Sequence, residues 1–99
     1  MNWRSKKLLD AAKDAPVCMG CGKQNNGEVV MAHSNQLRDG KGTGIKAHDY
    51  RVAAMCNDCH YEIDNGTWLS REQRVDKWEE AHRKTIGWLI ESGRVTVSA

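Results

Sequence analysis

"CNDCHYEID", Cys56 to Asp64, places two cysteines, one histidine and three acids in nine residues. Three chemistries use such a stretch: a haem attachment, half of a zinc knot, or a helix that holds a divalent metal. Cys56-Asn57-Asp58-Cys59-His60 matches the C-x-x-C-H haem pattern. Haem attachment normally takes place outside the cytoplasm, however, and would leave Cys18 and Cys21 without a role. The N-terminal MNWRSKKLLDAAKDA has no apolar run long enough for a signal peptide, and no stretch is apolar enough to span a membrane. The chain is therefore expected in a reducing cytoplasm, with no membrane partner. Paired cysteines there favour zinc over disulfides.

The cysteines support zinc by their spacing. Cys18-x-x-Cys21 and Cys56-x-x-Cys59 are separated by 34 residues, and each pair offers two thiolates from a tight turn. Together they make one tetrahedral four-cysteine set, with zinc–sulfur bonds of ~2.3 Å. A redox pair would need a thioredoxin-like βαβ context, which this order of elements does not provide. Energetics point the same way. A chain of 99 residues buries only about two-thirds of its unfolded surface. It has no Phe, so its core must come from four Trp, aliphatics and a metal staple.

Residues 3–14 read as a helix with Trp3, Leu8 and Ala11/Ala12 on one side, stopped by Pro16. CMGCG at 18–22 is a knuckle turn, and Asn25-Asn26-Gly27 signals a hairpin turn. Residues 28–34 (EVVMAHS) and 50–55 (YRVAAM) read as two strands, joined by a long glycine- and charge-rich loop over 35–49. A short helix follows from Cys56 to about Asn65, ended by Asn65-Gly66. Ser70 with Gln73 forms a capping box for a long helix over about 71–91, with Val75, Trp78, Thr85 or Ile86, and Leu89 on one face. Arg94–Val97 reads as a last short strand. The tryptophans read as core. The fold class is a small α+β domain, 1–99, with its core at about 16–66, an N-terminal helix and a C-terminal helix at about 70–92.

With four sulfurs on zinc, His60 and Asp64 are left over. Four apart on a helix, they share a face. That placement suits two ligands of a second, divalent ion with water in its open positions, or simply a surface hydrogen bond. His33, at the end of the first strand, is either a general base or an ordinary hydrogen-bonded histidine. A near-neutral pKa suits imidazole to the first role. The loop DGKGTGIK lacks the Gly-Lys-Ser/Thr of a Walker A loop. Arg38, Lys41 and Lys46 can meet nucleic-acid phosphates from it, or be solvated surface charge. Charge is uneven: nine Lys/Arg against five Asp/Glu before residue 52, six against eight after it, net +4 and −2. A mildly basic front half is compatible with a nucleic-acid partner.

CxxC, a strand ending in His, a loop, a second strand, then CxxCH on a helix: this order resembles the zinc-stapled branch of the HNH (ββα-metal, treble-clef-like) nucleases. "AHSNQLRDGKGTGIKAHD" followed by "CNDCHYEID" is similar to the small phage and prophage nucleases of the YbcO type, which are related to the phage RecA-dependent nuclease. The resemblance covers roughly residues 6–66. It implies a metal-dependent endonuclease that hydrolyses phosphodiester bonds in DNA during recombination or DNA processing, in the cytoplasm of a bacterial host, with a possible recombination-protein partner.

Carried over by position, the resemblance assigns Cys18, Cys21, Cys56 and Cys59 to structural Zn2+. His33 becomes the base that activates water, and His60 and Asp64 ligands of Mg2+, Mn2+ or another divalent ion. Asp49 falls near the slot of the family's middle Asn, where it orients His33 or touches the metal, with His48 as a further candidate. The sequence departs from the family at Ala32, where many members carry Asp or His, and it has no obvious middle Asn. One ligand must then come from Asp49, His48 or water. The alternative is a non-catalytic zinc-binding module that binds DNA or protein. Neither reading fixes the oligomeric state.

Overall fold

The structure, a computed structural model, describes residues 2–98. Five regular elements follow in order: helix α1 (Lys6–Ala12), strand β1 (Val30–His33), strand β2 (Val52–Met55), helix α2 (Asn57–Asn65) and helix α3 (Arg71–Glu91). A single 3-10 turn, Leu37–Asp39, interrupts the loop between the strands. The fold is thus a small α+β arrangement of three helices and a two-stranded sheet. No helix among the described residues is long and apolar enough to cross a membrane.

α1 starts later than its periodicity suggests. The backbone of Trp3 is already committed elsewhere: its N–H donates to His48 Nδ1 at 3.0 Å, and its carbonyl accepts from the Asp49 amide at 3.0 Å. Ser5 then caps the helix, its hydroxyl accepting from the Leu8 amide at 3.2 Å. Trp3 is consequently half exposed and lies outside the core, which α1 reaches through Ala12.

β1 and β2 are antiparallel and pair Val30 with Met55, Met31 with Ala54, Ala32 with Ala53, and His33 with Val52. Both are shorter than the β-branched sequence predicts. A bare two-stranded ribbon is marginal in water, and this one is covered by α3. Trp78 Nε1 donates to Ala32 O at 2.8 Å, and His82 Nδ1 lies 2.7 Å from Val52 O. The Thr85 hydroxyl accepts from the Ala54 amide at 3.0 Å and donates to Ala81 O at 2.7 Å. Residues 78, 82 and 85 share one face of α3, so that face grips the hairpin with polar atoms as well as with Trp78, Ala81 and Leu89.

The capping box at Ser70 and Gln73 forms, and Gly93, with φ +79°, turns the chain two residues past the end of α3. Arg94–Val97 forms no strand. Instead the Val95 amide folds back onto Leu89 O at 3.0 Å, and the Arg94 guanidinium lies 4.6 Å over Trp88. Of the four tryptophans only Trp78 is buried; Trp3 is half exposed and Trp68 more so. Alanines and cysteines do the packing: Cys18, Ala32, Ala53, Met55, Cys56, Cys59, Ile63, Trp78 and Ala81 form one buried cluster.

Thr85 is fully buried, and its hydroxyl is the partner of a buried strand amide. Thr85→Val keeps the shape but strands that amide, and should cost about 1–3 kcal/mol. Urea denaturation reads the cost, and faster hydrogen exchange at Ala54 should accompany it. An unchanged midpoint would show that the hydroxyl does not secure the hairpin.

Candidate metal centre and the histidine pairs beside it

The first cysteine pair sits on a turn built by its own backbone. The Cys18 amide donates to Lys23 O at 2.7 Å, and the Gly22 amide donates to Cys18 O at 2.8 Å. Gly22 has φ +81°, a conformation other residues adopt only with strain. The Gly20 amide points at Cys18 Sγ, 3.3 Å away. A Cβ on Gly20 would approach Met55 Cε to 3.0 Å and Cys59 Sγ to 3.2 Å, so a larger residue there would have to displace Met55 and crowd the Cys59 sulfur.

The second pair arrives from β2. Cys56 is the N-cap of α2 and Cys59 lies in its first turn. The backbone amides and dipole of a helix N-terminus favour thiolates.

These two turns bring all four Sγ atoms within 4.8 Å of one another, three of the cysteines buried and Cys21 exposed. Four sulfurs at ~2.3 Å from a tetrahedral ion stand ~3.8 Å apart, and Cys21 Sγ to Cys56 Sγ is 3.9 Å. The donor set and its spacing are therefore compatible with zinc. Electrostatics add to this. Burial disfavours a Cys18 thiolate, yet the Cys56, Cys21 and Gly20 amides outweigh it and bring the thiol down to about 7. Burial and the neighbouring sulfurs push Cys59 up instead. Four thiolates this close repel one another unless a cation compensates them.

Beyond the sulfurs, the structure brings two pairs of sequence candidates together. His33, at the end of β1, places Nε2 2.8 Å from Asp49 Oδ1. Asp49 is buried and held on its other side by the Ser5 amide at 2.7 Å and by Arg4 Nη1 at 3.2 Å. Burial raises the Asp49 carboxyl, but the hydrogen bonds from His33 and Ser5 and the Arg4 charge prevail and hold it below the ordinary carboxylate value. An ionised Asp49 can only accept, so Nε2 carries the proton of that hydrogen bond.

On α2, His60 Nε2 lies 3.1 Å from Asp64 Oδ2. The hydrogen bond to Asp64 raises His60 against the opposing effect of burial. Burial alone would raise Asp64; hydrogen bonds from His60 and Asn35, with the charge of Lys41, lower it instead. The Asn35 amide donates to Asp64 Oδ1 at 2.7 Å and so ties the segment after β1 to α2. Asn35 was not a sequence candidate, nor were Arg4 and Ser5. Each acts on an acid 29 to 45 positions away, and no local pattern marks such pairs.

The other candidates are placed separately. His48 stacks on Tyr50 at 4.7 Å, and its Nδ1 is taken by the Trp3 amide, so it does not join His60 and Asp64. Apart from the cysteines, no three His, Cys, Asp or Glu side chains among the described residues converge closely enough to hold an ion. Arg38 pairs with Glu79, Lys41 is half-buried near Asp64, and Lys46 is exposed. The 35–49 loop is braced: Asn2 donates to Gly40 O and Lys46 O, and Arg4 donates to Ala47 O and Lys46 O.

No protein family, curated protein or solved structure matches the chain.

The cysteine geometry makes a stability prediction. Purified protein should carry about one zinc per chain, and Cys18→Ser should lose it together with a large part of the melting temperature, because metal-binding free energy is folding free energy in a site like this. Elemental analysis with thermal denaturation reads both. Full zinc retention with an unchanged melting transition in the variant would remove Cys18 from the ligand set.

Proposed function

We propose that the chain is a zinc-stapled, metal-dependent endonuclease of the HNH (ββα-metal) kind that hydrolyses phosphodiester bonds in DNA. The observation that carries this reading is His33. It closes β1 with Nε2 fixed by a buried, ionised Asp49, and its hairpin leads directly into a cysteine-capped helix that displays His60 and Asp64 four residues apart. An oriented imidazole with one free nitrogen is what removal of a proton from water needs. The proposal extends the resemblance read from the sequence, including a phage or prophage setting and a place in recombination.

In this reading, zinc on the four cysteines is structural and fixes the end of the hairpin against α2. A divalent ion on His60 and Asp64, with water completing its shell, would stabilise negative charge on the phosphate and on the leaving oxygen. His33 Nδ1 takes a proton from water as the oxygen attacks phosphorus. One P–O ester bond breaks, leaving a phosphate monoester and a hydroxyl. Asp49 holds the ring orientation and offsets the charge that His33 gains. Arg4 and the Ser5 amide keep Asp49 ionised, so the N-terminal segment is part of the site's support.

A second reading is a zinc-stapled DNA- or protein-binding module without catalysis. It is favoured by one observation: His60 and Asp64 have no third converging ligand among the described residues.

Plasmid nicking in Mg2+ or Mn2+ separates the two. The nuclease reading expects nicking by wild type that falls by at least about 100-fold in His33→Ala, with zinc content and melting temperature unchanged. Nicking that survives in His33→Ala would remove the base. Absence of nicking by folded, zinc-loaded wild type would favour the binding module.

A further inference from the structure

Five of the seven arginines lie within 3.9 Å of a carboxylate: Arg4 at Asp49, Arg38 at Glu79, Arg51 at Asp39, Arg83 at Glu80 and Arg94 at Asp14. Arg71 and Arg74 have no such partner among the described residues. Both stand on the first turns of α3, three positions apart, and both line one cavity of about 310 Å³ between α2, α3 and the segment that follows β1. Arg74 is further distinguished because its Nε is buried and has no hydrogen-bond partner among the described residues. A buried guanidinium N–H left without an acceptor is costly, and native structures rarely keep one without a reason. Two guanidinium groups with no carboxylate partner among the described residues, at one concavity, make an anion the group that would compensate them.

We propose that this cavity binds a phosphodiester group of a nucleic-acid strand, held by the guanidinium groups of Arg71 and Arg74. The inference rests on the nucleic-acid reading given above and adds a substrate-holding site to it. The two non-bridging oxygens of a phosphodiester point in different tetrahedral directions, so two forks can engage one each. Ile63 and Val75 line the same cavity and give an attached sugar an apolar wall. Asn35 and Gln36 line it too. Each spends one amide hydrogen on an acid, Asp64 and Glu79 respectively, and keeps a second to donate. Asp64 also borders the cavity, but its charge is answered by His60 at 3.1 Å and Asn35 at 2.7 Å. Because Asp64 belongs to both places, a strand held by Arg71 and Arg74 runs past the His60–Asp64 pair.

The test is fluorescence anisotropy of a short labelled single-stranded oligonucleotide with the full, zinc-loaded chain, titrated across salt with no divalent ion added. Arg71→Gln/Arg74→Gln should weaken binding by about tenfold or more, and the log–log salt slope should fall by about 0.7 for a lost single-strand phosphate contact. Arg83→Gln, on the same helix but paired with Glu80, should change affinity by less than about twofold. Arg74→Lys keeps the charge without the fork, and should recover the salt slope but only part of the affinity. Inorganic phosphate should compete better than acetate at equal ionic strength.

Unchanged affinity and slope in a folded double variant would overturn the site, as would wild type that does not bind. Equal competition by acetate would also overturn it, since that marks a peptide carboxylate site. If the double variant loses zinc or its melting transition, Arg71→Gln alone decides, because Arg71 is exposed; a loss in the same direction is expected and no loss refutes. Without a divalent ion the readout does not depend on cleavage. Arginine-dependent binding by a chain that never nicks DNA would uphold the cavity and sink the nuclease reading. Intact nicking with arginine-independent binding would do the reverse.

Discussion

Four sulfur atoms within 4.8 Å of one another impose the constraint on which the other contacts depend. Without a cation they repel as thiolates, and as thiols they would spend buried space on weak contacts. The two turns that gather them flank the same open end of the hairpin, where Val30 pairs with Met55, one before β1 and one after β2. Closing the cluster therefore ties the start of β1 to the end of β2. The Met19 amide, inside the first turn, donates to Ala54 O at 2.8 Å and so registers the knuckle directly against β2. The packing around the cluster is too sparse in large side chains to replace it. Alanines and cysteines fill six of the nine positions of the buried cluster, and Trp78 is the single large aromatic among them. A small chain with such a core needs a staple.

The hairpin then becomes a rigid frame on which polar groups can be presented. α3 holds it through Trp78, His82 and Thr85, three side-chain contacts to strand backbone that leave little freedom for β1 and β2 to slide. From this frame His33 projects at the end of β1, and α2 begins at Cys56 with His60 one turn later. The N-terminal segment has a less obvious part. Arg4 and Ser5 fasten Asp49, and Asn2 fastens the loop carbonyls of Gly40 and Lys46, so a stretch before the first helix braces the pair that the proposed chemistry needs.

Features carried by local spacing were legible in the sequence. The two CxxC turns, the i,i+4 relation of His60 and Asp64 and the Ser70–Gln73 capping box depend on residues a few positions apart, and backbone geometry makes them nearly independent of context. The strands were legible in kind but not in extent. The strand pattern runs over 28–34 and 50–55, yet only four residues on each strand find partners. Tertiary competition explains the rest. Trp3 reads as a helical core residue by periodicity, but its backbone is captured by His48 and Asp49, which leaves its ring half exposed. Arg94–Val97 has strand-forming residues and no strand edge beside it. That Arg71 and Arg74 are the two arginines without carboxylate partners among the described residues is a property of the whole fold. No window of sequence contains it.

The most direct measurement is X-ray absorption at the zinc edge of the purified protein. A four-thiolate centre predicts a single shell of four sulfurs at about 2.3 Å. A nitrogen scatterer at about 2.0–2.1 Å would mean that a histidine such as His60 displaces a thiolate, most readily the exposed Cys21. It would contradict both the four-sulfur staple and the release of His60 for any other role.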